Sequence, residues 1–203
     1  MPPRHIVLDI GRVLLVWDPE IPYRRLIPDE AERRRFLAEV CSPQWNQEQD
    51  AGRSFAEGEA ELIARFPEHE ALIRAFRVHW PEMVPEEMPG TPEIMEALIA
   101  AGHDVTLLTN FSTETWPIAV ERYPILSRAR GVTVSGALGV AKPDRAIYDH
   151  HAATFGLDPA ATVFFDDSAK NVAGAEAAGW TARLFTDAER MRADLEALGV
   201  RLG

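Results

Sequence analysis

The stretch RHIVLDIGRVLLVWDP, residues 4–19, decides the fold. Ile6, Val7 and Leu8 form an unbroken apolar run that ends on an acid, Asp9. Such a run, short and without helical spacing, is expected to be a buried strand. A buried strand that ends in a carboxylate calls for a chemical reason. Two positions further on stands Gly11, with no second acid.

Working outward, the chain alternates short apolar runs with helical patterns from residue 92 onward. DVTLLTN, GVTVSG, ATVFFDD and TARLF are expected to be strands. Between them lie helical segments. TPEIMEALIAAG has Thr91 as expected N-cap, Pro92 in the first turn and Gly102 as stop. KPDRAIYDHHAATFG is expected to open at Pro143 and close near Gly156, and SAKNVAGAEAAG follows the acidic strand. Strands alternating with helices imply βαβ units on a parallel sheet, so the fold class is α/β, an open doubly wound layer of Rossmann-like type. The first strand is separated from that pattern by charged helical segments such as DEAERRRFLAEV and EHEALIRAFRVHW, with Pro81, Pro85, Pro89 and Pro92 marking the return. Residues 1–15 and 92–203 are therefore expected to form the α/β core, and residues 16–91 an inserted helical module.

Composition narrows the partners. Across 203 residues the net charge is −11, which repels nucleic acid and anionic membranes. Cys41 is the single cysteine, so neither an intramolecular disulfide nor a cysteine-based zinc site can form. No apolar run approaches membrane-spanning length, and the N-terminus lacks a signal-peptide pattern; a cytoplasmic location is expected, with a small molecule as partner. Composition leaves monomer and homodimer equally open.

In a doubly wound sheet, ligands collect beyond the carboxyl ends of the strands. Those ends carry Asp9, Thr109 with Asn110, and Asp166 with Asp167, while Lys142 precedes a helix at the same edge. Each has an ordinary structural explanation: a turn cap, a strand end, a solvated lysine, a helix start. Their convergence on one edge is harder to explain that way. Adjacent carboxylates after VFF also repel unless a cation relieves them.

Taken together, VLDIGRV, LLTN, VAKPDRAIY and VFFDDSAKN, in this order and spacing, resemble the motifs of the haloacid dehalogenase superfamily, and within it a subgroup that includes sugar-phosphate phosphatases. The resemblance implies that Asp9 is a nucleophile attacking phosphorus. It implies a Mg²⁺ held by Asp9, the Gly11 carbonyl and Asp167, with Thr109 and the Asn110 amide on the phosphoryl oxygens. Lys142 would neutralise charge, Asp166 would stand behind it, and the helical module 16–91 would be a small cap. The implied substrate is a small phosphorylated metabolite.

The family pattern usually has an acid at the position of Gly11, which protonates the leaving oxygen. A positioned acid or base contributes ~10²–10⁴-fold. Asp18, His69 and His79 are the candidate replacements in the helical module. Trp45, Asn46, Asp50 and Arg53 there, and Trp116 after the second motif, are candidates for facing the substrate. Two other functions stay open: metal-independent 2-haloacid dehalogenation, whose leaving halide needs no proton, and a binding protein without turnover.

Overall fold

The computed structural model describes residues 2–202. A five-stranded parallel sheet forms its centre: β1 (His5–Leu8), β2 (Asp104–Thr109), β3 (Val132–Val134), β4 (Thr162–Asp166) and β5 (Thr181–Leu184) in the order β3-β2-β1-β4-β5. The chain winds outward from β1 through β2 to β3, then returns to β4 and continues to β5. The sheet is thus doubly wound, with its switch point beside β1.

The helices are, in order, α1 (Glu20–Leu26), α2 (Glu30–Glu39), α3 (Pro43–Asp50), α4 (Phe55–Arg65), α5 (Glu70–Val78), α6 (Trp80–Met83), α7 (Thr91–Ala100), α8 (Trp116–Arg122), α9 (Ser135–Leu138), α10 (Arg145–Phe155), α11 (Ala169–Ala177) and α12 (Ala188–Ala197). The two-residue period of a strand explains why β1 is apolar throughout. Ile6 and Leu8 pack with Val105, Val163 and the apolar sides of α7 and α12, while Val7 packs with Phe164, Ile147 and Tyr148 on the opposite face. Burial on both faces leaves no position for a polar residue until the strand ends.

Helices α1 to α6 enclose a separate apolar cluster of Tyr23, Phe36, Trp45, Phe55, Leu62, Phe76 and their neighbours. Ser42 caps α3, and Ser54 with Glu57 forms a capping box on α4, so these starts are locally encoded. The two crossings between helices and sheet run side by side: the Val16 amide donates to Glu86 (3.0 Å) and the Asp18 amide to Met83 (2.9 Å). Trp80 and Val84 pack with the sheet's apolar cluster rather than with the helical one, and Trp17 touches both.

Two expected helix starts are displaced. Helix α7 begins at Thr91 itself, because Gly90 (φ +82°) occupies the N-cap, and the Thr91 hydroxyl is buried without a partner. Helix α10 begins at Arg145, not Pro143; Asp144 caps it by accepting from the Ala146 amide (2.9 Å). Pro81 and Pro92 lie inside helical first turns, where a missing N–H costs nothing, so the connecting segment narrows to residues 84–90. Among the described residues no helix is long and apolar enough to cross a membrane.

His151 is wholly buried beneath the sheet between the hydroxyls of Thr106 (2.9 Å) and Thr133 (2.8 Å). Burial, with lesser repulsion from His150, Arg130 and Lys142, lowers its pKa from 6.5 to about 3. The unfolded chain therefore takes up this proton first as pH falls; the stability it confers is intact above 6.5 and is lost progressively towards 3. Between about pH 7 and about pH 5 this residue should account for a loss of roughly 2 kcal/mol. Urea denaturation across that range should show the slope, and His151→Gln should flatten it; an unchanged slope in that variant would rule out His151 as its source.

Candidate active site

Asp9 directly follows β1, its amide still tied to Phe165 of β4 (3.0 Å). Its Oδ1 accepts from the Ile10 amide (2.7 Å) and lies 2.8 Å from Lys142 Nζ. Lys142 is buried and has two further acceptors, Asp166 Oδ2 (2.7 Å) and the Leu108 carbonyl (3.0 Å). The ammonium thus uses all three of its protons. Asn110 anchors the backbone that delivers it: its side chain donates to the Lys142 carbonyl (3.0 Å) and accepts from the Lys142 amide (2.8 Å). Asp166, last in β4, is held by the Ser168 amide (2.8 Å) and by Asn171 Nδ2 (3.0 and 3.1 Å).

Burial pushes the Asp9 carboxyl above its ordinary range, Lys142 draws it down and Asp166 raises it further. For Lys142 burial favours the neutral amine, but Asp9 and Asp166 outweigh it and the ammonium is retained. Asp167 is raised by burial and by Asp166, against the pull of Arg12 and Lys142. Oxygens of Asp9, Asp166 and Asp167 lie within 4.8 Å of one another. These carboxylates outnumber the buried lysine, and Arg12 reaches Asp167 only at 3.7 Å from a half-exposed position. Asp9 Oδ2 has no hydrogen-bond donor among the described residues. A surplus of hard oxygen donors around a free carboxylate oxygen fits a divalent cation such as Mg²⁺.

Asp9, Gly11, Asn110, Lys142 and Asp167 line one cavity of about 320 Å³ between the sheet edge and the helical layer. That volume suits a small metabolite. Thr109, expected on the phosphoryl oxygens, occupies the last position of β2, buried and directly before the cavity-lining Asn110. The candidate acid substitutes are engaged elsewhere. Asp18 accepts from the Glu20 amide (2.9 Å) and pairs with Arg24 (2.7 Å), His79 pairs with Glu82 (2.7 Å), and His69 meets Phe36 edge-on; none lines the cavity.

Of the other candidates, Asn46 and Asp50 do line it. Trp45 belongs to the helical core, where its indole donates to Gly58 (3.1 Å), and Trp116 packs edge-on against Phe111. Arg53 is engaged by Glu48 and Glu61 (2.6 Å each). Cys41 lies in the cavity wall with its thiol pushed up to about 12 by burial, which excludes a resting thiolate nucleophile.

Arg12 and Asn171 also line the cavity and were not found from the sequence. Arg12 adopts a left-handed backbone (φ +59°), a feature no residue pattern announces, whereas Asn171 sits within the acidic motif and carries a recognisable position there.

A family model for haloacid dehalogenase-like hydrolases matches residues 3–179. The chain belongs to this hydrolase family. Among solved structures, a predicted HAD-like family hydrolase from Porphyromonas gingivalis is 22% identical, covering 99% of this chain and 100% of that one, with a TM-score of 0.78. A HAD family enzyme from Bacteroides thetaiotaomicron in complex with magnesium and inorganic phosphate is 19% identical over 91% of this chain and 94% of its own, with a TM-score of 0.68. The L-2-haloacid dehalogenase of Xanthobacter autotrophicus, with chloropropionic acid covalently bound, is 15% identical over 96% and 82%, with a TM-score of 0.67. At these identities the likeness establishes the α/β fold, and it includes both phosphate-binding and dehalogenating members of the family.

Removing the cation from a buried ion cluster leaves uncompensated charge. Lys142→Met should therefore destabilise the fold by about 3–5 kcal/mol in urea denaturation at neutral pH. A loss below about 1 kcal/mol would mean that Asp9 and Asp166 are not held as the charged pair described.

Proposed function

We propose that this hydrolase is a Mg²⁺-dependent phosphatase acting on a small phosphorylated metabolite, possibilities that include sugar phosphates. The observation that carries the reading is the surplus of carboxylates at Asp9, Asp166 and Asp167 around one buried lysine, a donor set suited to a hard cation. Asp9 attacks phosphorus and forms an aspartyl-phosphate, dividing one difficult displacement into two. Lys142 holds the attacking carboxylate in place and offsets charge on the phosphoryl group, and Asp166 positions Lys142. Asp9, the Gly11 carbonyl and Asp167 would hold the Mg²⁺, which supplies charge neutralisation for the phosphoryl group when bound. Positioning and electrostatic stabilisation of this kind carry most of phosphoryl-transfer catalysis.

The Thr109 hydroxyl and the Asn110 backbone amide hold the phosphoryl oxygens, and the Asn110 side chain also grips the backbone of Lys142. Residues 16–91 act as a cap that roofs the cavity and selects the leaving group. The apolar wall of Trp17, Phe76 and Trp80 gives that group a partly hydrophobic seat.

Dehalogenation is the second reading. Gly11 does not count against it, since a halide departs without a proton, and a 2-haloacid dehalogenase is among the similar folds. The paired acids of VFFDD weigh against it, because a metal-free site gains nothing from adjacent carboxylates that repel.

The two readings separate in one assay. Phosphate release from a panel of phosphate esters should require Mg²⁺ and should vanish in Asp9→Asn. Halide release from 2-haloacids in chelator, with no phosphate release in Mg²⁺, would replace this reading with the second. Mg²⁺ should also raise the melting temperature of the wild type, and Asp167→Ala should abolish the rise more completely than Asp166→Ala does. The reverse order would reassign the ligand.

A further inference from the structure

Gly11 leaves the leaving oxygen without a proton donor on the sheet side of the cavity. An ideal Cβ built there meets nothing within 4 Å, so the position is open rather than filled by a neighbouring acid. In-line displacement places the leaving oxygen on the side of phosphorus opposite Asp9, towards the helical layer. The donor, if the chain has one, belongs on that layer.

One carboxyl group of the helical layer lines the cavity, Asp50 at the end of α3. Its Oδ2 accepts from Asn46 Nδ2 (2.9 Å), one helical turn back, and Asn46 lines the cavity as well. The Ser112 amide, in the loop beyond β2, faces the carboxylate and favours its charged form.

The turn that carries Asp50 is fixed to the sheet edge. Its carbonyl accepts from Ser135 Oγ, which in turn accepts from the Phe111 amide (2.9 Å). The Phe55 amide donates to Glu114 Oε1 (2.7 Å), and a Cβ on Gly52 would meet the Gly136 carbonyl at 3.0 Å. Asp50 is thus part of the helical layer, yet its position relative to Asp9 is set by direct contacts with the sheet-edge loops. A residue held this firmly is suited to proton transfer.

We propose that Asp50 is the general acid and base of the phosphatase reaction, supplying from the helical layer what Gly11 lacks. The assignment rests on the phosphatase reading above. In the first step the Asp50 carboxyl gives its proton to the ester oxygen while the bond from Asp9 to phosphorus forms and the ester bond breaks, releasing the alcohol. In the second, the Asp50 carboxylate takes a proton from the water whose oxygen attacks phosphorus; Asp9 is released, inorganic phosphate leaves and Asp50 is again protonated.

The electrostatics agree with this placement. Burial pushes the Asp50 carboxyl up to about 7 against the pull of the Ser112 amide, the Asn46 side-chain amide donates to it, and no cation pairs with it. Arg53, its near neighbour, is taken by Glu48 and Glu61. An acid with a pKa near neutrality can both give and accept a proton there.

The test compares kcat/KM for an alkyl phosphate and for 4-nitrophenyl phosphate, whose leaving group is far less basic, in wild type and Asp50→Asn. The variant should lose about 100-fold on the alkyl ester and much less on the aryl ester, steepening the dependence on leaving-group basicity. Adding Gly11→Asp to that variant should recover turnover of the alkyl ester. Equal losses on both esters, or no loss, would overturn the assignment while leaving the phosphatase reading intact. A wild type that releases no phosphate from either ester in Mg²⁺ would overturn both. If Asp50→Asn does not fold, Asp50→Ser read on the same two esters takes its place.

Discussion

The contact on which the rest of the site depends is the buried ammonium of Lys142 between Asp9 and Asp166. It joins the carboxyl ends of β1 and β4, and through the Leu108 carbonyl it joins β2 as well. Three neighbouring strands thus converge on one side chain at the switch point of the sheet. Each carboxylate is buried and would be costly alone, and the lysine would be costly without them. The fold can keep these charges only if the strands are in register, so the catalytic geometry and the parallel pairing of β1, β2 and β4 support one another.

The same contact divides the site into two halves. On the sheet side, position is dictated by strand ends, and the excess negative charge there calls for a cation. On the helical side, the cavity wall is largely apolar, apart from Ser42, Asn46 and Asp50. On the proposed reading, chemistry on phosphorus would belong to the first half and choice of leaving group to the second. The turn after α3 crosses that division, because Ser135, Phe111 and Glu114 hold it against the sheet-edge loops.

Much of this was legible in the sequence, for physical reasons that also mark the boundary of what was not. The apolar run at Ile6–Leu8 announced a central strand because a strand covered on both faces cannot alternate. VFFDD announced a strand ending in a charged site. The start of α10 was misread by two residues because a proline and an aspartate both favour a first turn, and only Asp144 makes the capping bond. Thr109 was picked out by its place at a strand end, and the structure sets it there, buried, directly before the cavity-lining Asn110. Asp50 was among the residues picked out as facing the substrate, but its hold on the sheet edge, like the place of Arg12, depends on contacts between segments far apart in the chain. No local pattern specifies that Asp50 is unpaired, or that Arg12 turns back towards Asp167.

The central claim is that Asp9 carries the phosphoryl group covalently during turnover. A single turnover with a phosphate ester and Mg²⁺, quenched in acid and followed by peptide mass spectrometry, tests it most directly. The account predicts a phosphoryl group on Asp9 that forms with alcohol release and disappears as inorganic phosphate appears. Phosphate release with Asp9 unmodified throughout would contradict it, as would an ester of Asp9 formed from a 2-haloacid in the absence of metal.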